Sequence, residues 1–142
     1  IGVCAASGRA ANVFQPGTHG STFGGGPFVS VVGKAVIDTM KAEGAVASAA
    51  KIGEKLLVAL RARLGDTELV DQVRGLGLMI GVALNVEIPN LLQRILDQGL
   101  LVNVTGGGKI IRLLPPAIIG DAEIEQIVDT IAAVLDDFAA KV

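Results

Sequence analysis

Aromatic side chains are scarce: the chain has no tryptophan, no tyrosine and only four phenylalanines among 142 residues. Because 51% of the residues are nonetheless hydrophobic, the core is predicted to be aliphatic. The single cysteine, Cys4, excludes an intrachain disulfide and is typical of a protein from a reducing compartment. With one cysteine and one histidine, a metal site with nitrogen and sulfur ligands is not expected.

Strong charge and long apolar runs are also missing. The formal net charge of −2 and the pI near 5.3 provide no basic surface for nucleic acid. No stretch reaches the roughly 18 uninterrupted apolar residues of a membrane span, and residues 1–6 lack the basic start of a signal peptide. We therefore expect a cytoplasmic protein without membrane partners. The mean hydropathy of +0.60 predicts surface that another domain or subunit covers.

Hydrophobic periodicity predicts alternating helices and strands. An apolar run at residues 1–6 indicates the end of a strand, and residues 7–12 a turn or short helix. The second half is predicted to be a small sheet covered by helices, an α+β arrangement within the α/β class. Helices are predicted over 27–43, 44–65, 91–96 and from Asp121 as N-cap onward, and strands over 69–84, 100–104 and 109–114.

Residues 17–25 form a glycine-rich loop that carries Ser21, Thr22 and the only histidine, His19. Glycines allow close backbone approach to a ligand, and the helix predicted to begin at Pro27 has free N–H groups at its start. These residues are compatible with a loop that binds phosphate or carboxylate. They are equally compatible with a plain connector before a helix.

Three ordered motifs carry a family resemblance: residues 16–25, residues 73–81, and residues 99–103 followed by 111–116. Together they resemble the class III pyridoxal-phosphate aminotransferases, especially members that act on acetylornithine and ornithine. One departure is Gly26, where the family usually has asparagine before the proline.

The resemblance implies the C-terminal portion of a fold-type I enzyme. Residues 1–43 would be a remnant of the large cofactor-binding domain, 44–65 a long interdomain helix, and 66–142 the small C-terminal domain. In this family the catalytic lysine lies upstream of the loop, and none of the chain's lysines matches its segment. We therefore expect no catalytic residue in this chain and no activity of the chain alone.

Site residues follow from the same resemblance. Thr22 would bind the phosphate of pyridoxal 5'-phosphate, and Ser21 and Arg112 would contact substrate. Loop 17–25 would reach the cofactor of the other subunit in a homodimer. The implied reaction moves the terminal amino group of N-acetylornithine to 2-oxoglutarate in arginine metabolism. Alternatives are another ω-aminotransferase, acting on ornithine, succinylornithine or 4-aminobutyrate, and a non-catalytic stand-alone domain.

Other candidate residues have plainer interpretations. His19 is expected to shape the loop or an interface, because the proton shuttle in this family is the lysine. Arg74 is interpreted as structural, and residues 106–108 as a hairpin tip, since they precede no helix. Arg112 lies between apolar pairs, so alternation alone leaves open whether it is a surface residue or faces a site.

Overall fold

The computed structural model describes residues 1–141, which fall into two compact units with their boundary between Gly44 and Ala45. The first unit contains a short 3-10 helix, Gly8–Asn12, and helix α1, Pro27–Ala42. Pro27 occupies the first helical turn, where its missing N–H costs nothing. The predicted strand at residues 1–6 is wrong, because the structure pairs these residues with no strand.

The second unit begins with helix α2, Ala45–Leu64, whose buried residues repeat at helical spacing. The buried stripe comprises Gly53, Leu56, Leu57, Leu60 and Leu64. Helix α2 packs against strand β1 (Val70–Leu76) and helix α4 (Asp121–Ala139).

Four strands form one antiparallel sheet. Strand β2 is Met79–Leu84, β3 is Asn103–Thr105 and β4 is Ile110–Leu113, and the spatial order is β1-β2-β4-β3. The single strand predicted over residues 69–84 is wrong, because the chain reverses after Leu76 and forms two paired strands. Gly77 makes this turn possible with φ +55°, a conformation that glycine adopts without strain.

Helix α3, Leu91–Asp97, ends as predicted, with Gly99 in a left-handed conformation two residues beyond it. The predicted N-cap of α4 is wrong by one residue. Gly120 occupies that position, and its N–H donates to the Glu123 carboxylate at 2.8 Å. Glu123 therefore accepts the N–H of the N-cap residue itself, while glycine has no side chain to act as the expected aspartate cap.

The core of the second unit is aliphatic, as the composition predicts. Val73, Val82 and Ile111 are paired across three strands, and all are buried together with the apolar faces of α2, α3 and α4. The opposite face of the sheet stays exposed at Leu76, Met79 and Arg112. Mixed helices and a small antiparallel sheet confirm the predicted fold class. No helix within residues 1–141 combines the length and apolar character needed to cross a membrane.

Candidate active site

The glycine-rich loop of the first unit contains three hydroxyls in different states. The Thr18 hydroxyl is tied to Gln15: it lies 2.8 Å from the Gln15 carbonyl oxygen and accepts the Gln15 N–H at 3.0 Å. Ser21 and Thr22 are exposed, and their side chains make no hydrogen bond to any residue that the structure describes. The two hydroxyls singled out by the resemblance are therefore the ones left available to a ligand.

A tight turn holds Ser21 and Thr22 together. The N–H of Gly24 donates to the Ser21 carbonyl at 3.3 Å, and α1 begins three residues later at Pro27. Residues 17–25 contain no aspartate and no glutamate. Neutral hydroxyl donors without a neighbouring carboxylate are a donor set that suits a phosphate group. The loop therefore fits the phosphate of the cofactor that the resemblance implies.

His19 contacts Phe14, with ring centroids 5.5 Å apart and the planes tilted by 37°. His19, Ser21 and Phe23 line an open groove of about 590 Å³ in the first unit, together with the residues of the N-terminal segment at Val3 and Cys4. The aromatic contact places the histidine ring in the packing of the loop. Its predicted loop-shaping role stays a prediction.

Arg112 lies in the second unit, on strand β4. Its neighbours Ile111 and Leu113 are buried in the core, so the intervening Arg112 points to the exposed face of the sheet. Its guanidinium has no hydrogen bond or ion pair with any of residues 1–141. The strand register thus shows which face of the sheet Arg112 occupies, and its role as a substrate-binding residue stays a prediction.

Strand register also brings together residues that the sequence motifs did not connect. Arg74 is paired with Gly81, Gly81 with Arg112, and Arg112 with Asn103, so these four form one row across the exposed face. Sequence reasoning treated Arg74 as structural and gave Gly81 and Asn103 no role. The residues lie up to 38 positions apart (74 to 112), and only the observed register shows that they are neighbours.

The described part of the chain has no candidate metal site, that is, no group of three or more histidine, cysteine, aspartate or glutamate side chains that could hold a metal ion.

The class-III aminotransferase family model matches residues 2–135 of this sequence. The chain belongs to the class-III aminotransferase family.

The most similar relatives include acetylornithine aminotransferases. The chain is 43% identical to acetylornithine aminotransferase 1 of Bordetella bronchiseptica over 141 residues, covering 99% of the chain and 36% of that protein. It is 39% identical to the acetylornithine aminotransferase of Methanothermobacter thermautotrophicus, covering 96% of the chain and 35% of the relative. The chain thus spans about a third of the length of the curated relatives it matches.

Solved structures agree on the fold. The acetylornithine aminotransferase of Elizabethkingia anophelis has a TM-score of 0.74 at 32% identity, covering 90% of this chain and 34% of that one. Plasmodium falciparum ornithine delta-aminotransferase has a TM-score of 0.81 at 26% identity. The match covers 94% of this chain and 35% of that one. An ornithine aminotransferase from Toxoplasma gondii has a TM-score of 0.77 at 27% identity, and PLP partly occupies its active site. The match covers 93% of this chain and 32% of that one.

Proposed function

We propose that the polypeptide containing this chain is a pyridoxal-phosphate-dependent aminotransferase that moves the terminal amino group of N-acetylornithine to 2-oxoglutarate, a step of arginine metabolism. The observation that carries the proposal is the free hydroxyl pair of Ser21 and Thr22 in a loop without acidic residues. Identities of 39–43% to acetylornithine aminotransferases support this amino donor. Ornithine is the alternative donor, because an ornithine aminotransferase is 39% identical over 125 residues.

Loop 17–25 holds the cofactor phosphate in this proposal. Thr22 donates its hydroxyl and its backbone N–H to the phosphate, and Ser21 contacts the substrate. Bound pyridoxal phosphate supplies the electron sink that stabilises a carbanion, while the protein groups bind and orient. Since the Thr18 hydroxyl is already engaged by Gln15, it takes no part.

Arg112 binds a substrate carboxylate. Its exposed guanidinium offers two parallel N–H donors, which match the two oxygens of a carboxylate. The proposed partners are therefore small carboxylic amino and keto acids.

The proposed enzyme is a homodimer in which loop 17–25 completes the site of the other subunit. In the whole protein, residues 1–43 belong to the large domain, 44–65 form the interdomain helix and 66–142 the small domain. The exposed apolar side chains of α1, among them Val31 and Ile37, are consistent with a helix that the rest of the assembly covers.

The reaction is tested with the complete polypeptide, pyridoxal phosphate and 2-oxoglutarate, offered N-acetylornithine, ornithine, succinylornithine and 4-aminobutyrate in parallel. We expect glutamate formation with the highest kcat/KM for N-acetylornithine. A higher kcat/KM for ornithine would replace the proposed donor, and no transfer from any of the four would contradict the proposal. A polypeptide of residues 1–142 alone serves as the control and is expected to be inactive, because no lysine in it matches the catalytic segment.

A further inference from the structure

We propose that Arg74 is a second carboxylate-binding residue, which shares with Arg112 an anion held above Gly81 on the exposed face of the sheet. This inference rests on the proposed function and extends it, because it adds a specificity-determining residue to the substrate site. Arg74 and Arg112 are paired with the same residue, Gly81, from opposite sides.

The strand pairing fixes the face on which Arg74 and Arg112 project and the distance between their Cα atoms. Residues of one row across a sheet project to the same face, so both arginine side chains emerge on the exposed side. Adjacent strands lie about 4.8 Å apart, which places the Cα atoms of Arg74 and Arg112 about 10 Å from each other. At this Cα separation, the long side chains of both arginines can reach one small anion that lies between them.

Gly81 leaves the space between the arginines open. A Cβ atom built on Gly81 would meet only one atom of the described chain within 4 Å, Cγ2 of Ile110 at 3.5 Å. This is an ordinary van der Waals contact, so packing alone does not demand glycine here. The absence of a side chain instead gives a ligand access to the sheet surface between the strand positions of Arg74 and Arg112.

The positive charges of the row have no counter-ion in the described chain. Arg74 donates from Nη1 to Oε1 of Gln72 at 2.7 Å, and Gln72 is neutral. Asp71 lies at the irregularity of β1 and forms no ion pair with either arginine within residues 1–141. Two guanidinium groups without a counter-ion on one face favour the binding of an anion. A carboxylate fits best, because each planar guanidinium can donate two parallel N–H bonds to its two oxygens.

The test uses the complete holoenzyme and measures binding as well as turnover. Calorimetric titration with glutarate, a five-carbon dicarboxylate without an amino or keto group, reports the carboxylate site directly. We expect Arg74→Gln to weaken glutarate binding and raise the KM for 2-oxoglutarate by about five- to tenfold, with kcat nearly unchanged. Arg74→Lys should also weaken glutarate binding, but less than Arg74→Gln, since it keeps the charge and loses the planar fork.

Two further variants sharpen the result. Lys51→Gln removes one positive charge from an exposed position of helix α2 and should leave glutarate binding unchanged. Gly81→Val places a branched side chain between the arginines and should weaken glutarate binding while both charges remain. If Arg74→Gln does not fold, as judged by circular dichroism, Arg74→Lys and Gly81→Val decide the question.

The outcomes separate this inference from the proposed function. Unchanged glutarate affinity in Arg74→Gln and Gly81→Val, with a clear loss in Arg112→Gln, would overturn the role of Arg74 and leave Arg112 in place. Unchanged glutarate affinity in all three variants would show that this face of the sheet does not bind the carboxylate. Absence of amino transfer by the wild-type enzyme would instead contradict the proposed function.

Discussion

Gly53 of helix α2 lies directly against Gly77 of the turn between β1 and β2. A Cβ atom on Gly53 would overlap the carbonyl group of Gly77 and lie 2.8 Å from its Cα atom. Because the obstacle is backbone, no side-chain rotation can relieve the overlap. Helix α2 therefore reaches its observed distance from the β1–β2 hairpin only with glycine at position 53.

The first prediction concerns this contact. Gly53→Ala should lower the free energy of unfolding of the second unit by about 2–4 kcal/mol, because the helix or the hairpin must move. Urea unfolding monitored by circular dichroism measures the loss. Gly81→Ala is the matched control, since its Cβ meets only Ile110 Cγ2 at 3.5 Å and should cost far less. Equal losses in the two variants would contradict the close approach.

The second prediction concerns the hydroxyl loop in the complete enzyme. Thr22→Val removes a donor while nearly preserving shape, so it should weaken cofactor retention by about ten- to a hundredfold. Ser21→Ala should raise the KM for the amino donor and leave cofactor affinity nearly intact. Thr18→Val is the control for both, because the Thr18 hydroxyl is bonded to the Gln15 carbonyl just before the loop. Equilibrium dialysis of the cofactor and steady-state kinetics separate the two effects.

The third prediction tests whether the loop acts across a dimer. Thr22→Val subunits are mixed with subunits that keep Thr22 but lack the catalytic lysine. The only lysine-bearing site of the mixed dimer then receives its loop from the intact partner and should bind cofactor normally. A defect as large as in the Thr22→Val homodimer would place Thr22 in its own subunit's site.

The fourth prediction concerns acid. Lys55 donates to Asp121 at 2.7 Å and lowers the pKa of that carboxyl, and Lys141 does the same for Asp137 at 2.6 Å. Since both native pKa values are lowered, the stabilisation is complete above the unfolded-state pKa of about 3.9 and is lost as the pH falls through the native values.

Urea unfolding between pH 7 and pH 2 measures this loss. The Asp121→Asn and Asp137→Asn double variant should show a shallower fall in stability below pH 4 than the wild type. High salt should reduce the difference, because both carboxylates are exposed and screened. If stability falls equally steeply below pH 4 in the wild type and the variant at low salt, these ion pairs do not contribute to the acid dependence of stability.

Local sequence signals predicted the helices well, because each carries its own periodic stripe and terminal residues. Pro27 begins α1, and Gly99 follows the end of α3. Strands were predicted less well. Residues 69–84 contain three glycines, Gly75, Gly77 and Gly81, and nothing local shows that the chain reverses at Gly77. The missing strand at residues 1–6 has a similar cause, since a strand requires a partner that a local pattern does not reveal.

By itself the sequence determined the family, the aliphatic core and the candidate hydroxyls Ser21 and Thr22, because these depend on residue types and short-range order. Tertiary structure decided that the Thr18 hydroxyl is engaged and that Arg112 faces away from the core. It also aligned Arg74, Gly81 and Arg112 in one row. The physical reason is that strand pairing joins residues far apart in sequence, and a shift of one residue would turn every side chain to the other face.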